Sequence, residues 1–156
     1  MSVSSGTVVQ YSLDGSQLQF TDTGSYTPPI ASRVLTMYDP LGNVLQTFNM
    51  GTSLTQIITI SADGGYRFIL AVTDSTGVVT PITIDYVAAG FYVAAYLNQF
   101  ASTNCGCEFN NCNMETAELF YNAALRFNLA GNLAAADANI KAANVFINMS
   151  PVVQYA

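Results

Sequence analysis

Between Glu115 and Met149 the polar residues recur at helical steps, and the spacing leaves two helices with more apolar surface than they can cover themselves. Over the first helix Glu115, Glu118, Asn122 and Arg126 fall three or four residues apart and make one narrow polar stripe. Nearly everything else there is apolar: Ala117, Leu119, Phe120, Tyr121, Ala123, Ala124, Leu125, Phe127 and Leu129. The second helix turns Asp137, Lys141, Asn144 and Asn148 outward and Leu133, Ala136, Ile140, Ala143 and Ile147 inward. Such wide apolar faces need a platform within the chain, a neighbouring copy, or both. Between the helices, Gly131 suits a left-handed C′ site and Asn132 an N-cap. Ser150-Pro151 stops the second helix and leaves a tail over 150–156.

Charge content points the same way. Hydrophobic residues make up 51% of the 156-residue chain and charged residues 9%, where an ordinary soluble domain carries about a quarter charged. A free monomer keeps its surface soluble with mixed charge; here Asn, Thr, Ser and Ala fill the polar positions. That composition fits a subunit whose surface is occupied by other subunits, or a secreted, bacterial-surface-type β protein. A net charge of −6 with four basic residues argues against nucleic acid and anionic membranes, which need clustered Lys and Arg. No apolar run reaches the roughly 18–20 residues that span a bilayer; Val87 to Ala101 comes nearest, interrupted by Asn98 and Gln99. Met1-Ser2-Val3 opens no basic-then-apolar leader. The expectation is a chain made in a cytoplasm, with no membrane, nucleic acid or small-molecule substrate as partner.

Taken in order, Val8, Val9, Tyr11 and Leu13 lead into Asp14-Gly15, a favoured two-residue turn, and Leu18 and Phe20 return. This N-terminal hairpin, over 1–30, is either the outer strands of a sandwich or an arm onto a neighbour. From Ser32 to Tyr86 strands and turns alternate at sandwich spacing. Asp39-Pro40-Leu41-Gly42-Asn43, Asp63-Gly64-Gly65 and Asp74-Ser75-Thr76-Gly77 are the turns. In Tyr66 to Thr73, Tyr66, Phe68, Leu70 and Val72 share one face and Arg67 points away. Tyr38-Asp39-Pro40 with Gly42-Asn43, Asp63-Gly64-Gly65-Tyr66 and Val72-Thr73-Asp74-Ser75-Thr76-Gly77 resemble immunoglobulin-like domains of the PKD and fibronectin type III kind. That resemblance implies a fold, with Tyr66 closing a tyrosine corner, and no function. The fold expected is α+β: an immunoglobulin-like β-sandwich over 31–86, then a small helical subdomain over 87–149 ending in an antiparallel helix pair.

Val87, Phe91, Tyr92, Ala95, Tyr96 and Phe100 fall at helical spacing and lead out of the sandwich, with Gly90 a weak point in that helix. Ser102 to Met114 reads as a tight polar connection. The helix pair itself resembles a single tetratricopeptide unit at Ala124, Gly131, Ala136 and Ala143; an ordinary helical hairpin with small interface residues accounts for the same alanines. The aromatics Phe91, Tyr92, Tyr96, Phe120, Tyr121, Phe127 and Phe146 are the candidate interface residues.

Chemistry is scarce. Cys105, Cys107 and Cys112 are the one cluster with metal-ligand potential, but a structural zinc wants four ligands and the chain has no histidine. Glu108 or a neighbour's cysteine would have to complete it; a disulfide or free thiols are the other readings. Asp14, Asp39, Asp63 and Asp74 sit in turn sequences, where a carboxylate bonds its own following backbone. A calcium site among them lacks the clustered Asp-x-Asp pattern. No Ser-His-Asp set, phosphate-cradling loop or dinucleotide fingerprint is present, so neither an enzyme nor a cofactor is expected. The order of sandwich, Tyr/Phe-Ala helix, Cys-Gly-Cys loop and Tyr121-Asn122-Ala123-Ala124-Leu125 helix resembles small virion proteins of tailed bacteriophages, of the crAss-like podovirus group, over about 32–148. The resemblance implies a particle subunit touching other copies of itself and other virion proteins, first in a neck or tail ring and second as capsid decoration. An extracellular adhesion or carbohydrate-binding module is the alternative, with Tyr11, Tyr26 and Tyr38 as its aromatic platform.

Overall fold

The computed structural model describes residues 3–27, 29–103 and 108–149; over 99–103 and 108–112 it describes the backbone alone. Among these residues seven strands come first: β1 (Gly6–Gln10), β2 (Gln17–Asp22), β3 (Ile30–Tyr38), β4 (Val44–Gly51), β5 (Thr55–Thr59), β6 (Gly64–Asp74) and β7 (Val79–Ala88). Then come α1 (Gly90–Thr103), α2 (Glu108–Leu129) and α3 (Leu133–Met149). The strands form two antiparallel sheets, β1-β2-β5 and β4-β3-β6-β7. That is the strand order of an immunoglobulin-like sandwich, and with the helices it makes the chain α+β.

Period-2 alternation decides which side chains fill the sandwich. β2 buries Leu18, Phe20 and Asp22, β3 buries Arg33, Leu35 and Met37, and β6 buries Phe68, Leu70 and Val72. Phe20 of one sheet meets Phe68 of the other with ring centroids 6.3 Å apart; each such ring contributes about 1.5–3 kcal/mol by leaving water. On the outer face of β6, Arg67 stands opposite Asp85 of β7 and bonds it through Nε and Nη2 at 2.8 and 3.0 Å. The Tyr66 hydroxyl donates to the Ala62 carbonyl at 2.6 Å, closing the corner that its position predicts.

Several boundaries differ from the sequence reading. Leu18 and Phe20 need the opposite sheet for cover, and β2 pairs with β5 from Gln17–Thr59 to Thr21–Thr55. The hairpin over 1–30 therefore supplies two of the three strands of one sheet of the sandwich, and no boundary falls at residue 31. Its turn is longer than Asp14-Gly15: residues 11–16 loop out, and Asp14 Oδ1 gathers the Ser12 hydroxyl, the Ser16 amide and the Ser16 hydroxyl. Val87 and Ala88 finish β7 opposite Gly65 and Gly64, so α1 starts at Gly90. The described residues of the connection expected over 102–114 are helical. α1 runs to Thr103 and α2 begins at Glu108.

Gly90 is a requirement of the packing. The turn of the β1–β2 hairpin lies against the start of α1 so closely that a Cβ on Gly90 would meet Gly15 Cα at 2.5 Å. Alanine is the better helix former by about 1 kcal/mol, yet here two backbones would have to part. Gly90→Ala is expected to cost about 1–3 kcal/mol through overpacking. A urea unfolding curve matching or exceeding the parent's would show that the hairpin turn is not held there.

Candidate functional site

α3 is the middle layer of the helical end. It lies against β6 and β7 and carries α1 and α2 on its other sides. Leu133, Ala136, Ile140, Ala143 and Ile147 are buried as their spacing predicts. Opposite them Ala117 and Ala124 of α2 are fully buried, and small side chains at these crossings let the helices close up. The hairpin between α2 and α3 turns at Gly131, with φ of 80°. Asn132 N–H reaches Phe127 O at 2.8 Å and Gly131 N–H reaches Asn128 O at 3.0 Å, while Asn132 Oδ1 caps α3 at the Ala135 amide.

The polar residues of α3 are not all outward. Asp137 Oδ1 accepts from the Gly65 amide at 2.8 Å, and Asn144 Nδ2 donates to Asp63 Oδ2 at 2.9 Å. Both side chains dock the helix on the sandwich; Lys141 and Asn148 are the exposed pair. The docking works because β6 opens with Gly64-Gly65, where a Cβ would sit 2.6 Å from Asp137 Oδ1 or 2.8 Å from Leu133 Cδ1. Asp63 is likewise no turn residue. It is 3% exposed and accepts from the Phe91 and Tyr92 amides at 3.0 and 2.7 Å, satisfying the open N-terminus of α1. Burial pushes its carboxyl above the ordinary aspartate range, and the Asn144, Tyr92 and Phe91 donors counter only part of that.

Between α1 and α2 lies a shallow groove of about 180 Å³, lined by Tyr92, Val93, Tyr96, Leu97, Tyr121 and the Glu118–Asn122 edge of α2. Tyr92 stacks on Tyr121 at 4.8 Å and meets Tyr96 at 5.9 Å. Burial raises the Tyr92 and Tyr96 hydroxyls, helped by the Glu118 carboxylate, which Tyr96 hydrogen-bonds. Phe120 stacks on Phe146 across α2 and α3 at 5.5 Å. Outside these stacks, α2 presents Leu119 at 70% exposure and Leu129 at 88%, with Leu125 and Phe127 also exposed; Val145 and Met149 of α3 extend the apolar surface.

The structure thus divides the candidate aromatics. Phe91 packs on the sandwich core, and Tyr92 is buried among the helices. Tyr96, Phe120, Tyr121 and Phe146 are half-buried in the helical core, leaving Phe127 as the exposed one. Leucines carry most of the open surface of α2. Tyr11, Tyr26 and Tyr38 do not come together as a platform. Tyr26 packs on the core and donates to Asp22, while Tyr11 follows β1 and Tyr38 ends β3 in the other sheet.

The aspartates and three of the four basic residues are committed to the fold. Every aspartate accepts a hydrogen bond within it: Asp14, Asp39 and Asp74 in their own turns, Asp22, Asp63, Asp85 and Asp137 between elements. Arg33, Arg67 and Lys141 are ion-paired to Asp22, Asp85 and Asp137. Cys105 and Cys107 lie outside the described residues, and of Cys112 only its backbone place on α2 is given. Among the described residues no three metal-ligating side chains gather, and no helix is long and apolar enough to cross a membrane.

No protein-family model and no curated protein matches the chain. Among solved structures it is similar to the PKD1 domain of Vibrio anguillarum Epp, at 15% identity over 56% of this chain and 92% of that one, TM-score 0.44. The PKD1 domain from the Vibrio cholerae metalloprotease PrtV matches at 18% identity over 56% and 95%, TM-score 0.43. Domains d3-d4 of the rat CD45 extracellular region match at 15% identity over 53% and 46%, TM-score 0.45.

Proposed function

We propose that this chain is a non-enzymatic structural subunit that joins its neighbours through the outer face of α2. The observation that carries the reading is the open face of Leu119, Leu125 and Leu129 on a helix whose inner face is already satisfied by α3. Large exposed apolar patches on soluble chains mark contact surfaces, and a chain with 9% charged residues has little surface charge to oppose association through one. The commitment of each aspartate to turns, caps and ion pairs supports a role without catalysis. On the sequence resemblance, the assembly is a tailed-phage particle, with a neck or tail ring ahead of capsid decoration. Mass spectrometry of purified particles tests that placement: the chain is expected in fixed proportion to the other structural proteins. Finding it only in infected-cell lysate, and never in particles, would overturn it.

A further inference from the structure

We infer that the outer face of α2 is self-complementary and pairs two copies of this chain about a two-fold axis beside Asn122. The inference rests on reading that face as a contact surface, and adds its partner and geometry. Apart from Phe127, which lies on another side of the helix, the exposed positions of α2 are arranged symmetrically about Asn122. One turn before it stand Glu118 and Leu119; one turn after it stand Leu125 and Arg126.

When two such helices cross antiparallel about a two-fold axis, the residue one turn before the axis meets the residue one turn after it on the mate. Glu118 then faces Arg126 of the second copy, twice, and Leu119 packs against Leu125. Parallel pairing would set Glu118 on Glu118 and Arg126 on Arg126, and like charges in register repel. The order of acid before, base after, therefore selects the antiparallel form. Charge supply agrees: Arg33, Arg67 and Lys141 are held by aspartates of the same chain, while Arg126, in the last turn of α2, stands exposed on this face. Glu118 is steadied by the Tyr96 hydroxyl. At the axis an amide both donates and accepts, so Asn122 bonds its own mate, and one polar residue in an apolar seam fixes register. A two-fold contact closes on itself, joining pairs and leaving ring growth to other surfaces.

The test uses the full chain with Cys105→Ser, Cys107→Ser and Cys112→Ser. Added to it, Asn122→Cys is expected to form an intermolecular disulfide under mild oxidation. Glu115→Cys is expected not to link to itself, because its mates lie about 21 Å apart at the helical rise, but to link to Leu129→Cys in a mixed sample. In sedimentation equilibrium Glu118→Arg and Arg126→Glu should each weaken pairing by about tenfold or more, and the double reversal should restore it. Failure of Asn122→Cys to link, or reversals that leave association unchanged, would overturn the two-fold arrangement; if the parent still associates, the contact-surface reading survives. A parent that stays monomeric overturns both.

Discussion

Arg33→Met is expected to destabilise the protein by about 3–5 kcal/mol, because it strands the Asp22 carboxylate away from water. Arg33 Nε lies 2.7 Å from Asp22 Oδ2, and the two side chains are 5% and 0% exposed. They occupy core positions in period with Leu35 and Met37 on β3 and with Leu18 and Phe20 on β2, so the pair ties one sheet to the other at the end of the core. Each partner is further satisfied. Arg33 Nη1 donates to Thr52 O, and Asp22 Oδ1 accepts from the Tyr26 hydroxyl and the Gly24 amide, all at 2.9 Å. Asp22→Asn added to Arg33→Met should recover most of the loss, since the amide oxygen still serves Tyr26 and Gly24 while the stranded charge is gone. Urea unfolding of the single and double variants reads this directly. A single variant within about 1 kcal/mol of the parent would mean that solvent reaches Asp22.

Asp63→Ala is expected to cost about 2–4 kcal/mol, the sum of a lost helix cap and of buried donors left unpaired. The damage should be local. Hydrogen exchange is expected to quicken in the first turn of α1 and along α3, which Asp63 joins through Tyr92, Phe91 and Asn144, while the centre of β6 stays protected. Uniform acceleration across sandwich and helices would contradict this division. Ionisation of the same group has a definite sign. Its carboxyl is raised above 3.8 in the fold, so the folded chain holds that proton more tightly than the unfolded one. The stability this provides is complete below the unfolded value and is lost as pH rises through the folded value. Over that window the parent should lose stability relative to Asp63→Asn. Asp14, Asp39 and Asp74 are held below 3.8 by their turn donors; their contribution is present above 3.8 and lost as pH falls below it.

What the residues announce in advance depends on whether the signal is local. Phe68, Leu70 and Val72, the corner at Tyr66, the buried face of α3 and the Gly131-Asn132 break are all set by periodicity or by neighbours within a turn, and they stand where the sequence puts them. Asp63 and Asp137 do not, because their partners, the Tyr92 and Gly65 amides, are 29 and 72 residues away. The Asp-Gly-Gly run at Asp63 looks like a turn; its glycines instead clear a path for α3. Asp22 and Arg33 were legible and missed: counting in twos from Leu18 and Phe20, or back from Met37 and Leu35, places both inside. Among the candidate interface residues, Tyr92 is buried within the chain; helical spacing marks an apolar face without saying whether the chain or a neighbour covers it. The leucines of α2 were visible all along, but only the packing of α3 shows which side of that helix is left open.

Sedimentation equilibrium of the full chain beside a Leu119→Ser, Leu129→Ser variant measures that open side most directly. The parent is predicted to self-associate reversibly, and the variant to run as a monomer with an unchanged circular dichroism spectrum. A parent that remains monomeric at the highest soluble concentration, or a variant that associates as tightly as the parent, would contradict the claim that the outer face of α2 is where this chain meets its neighbours.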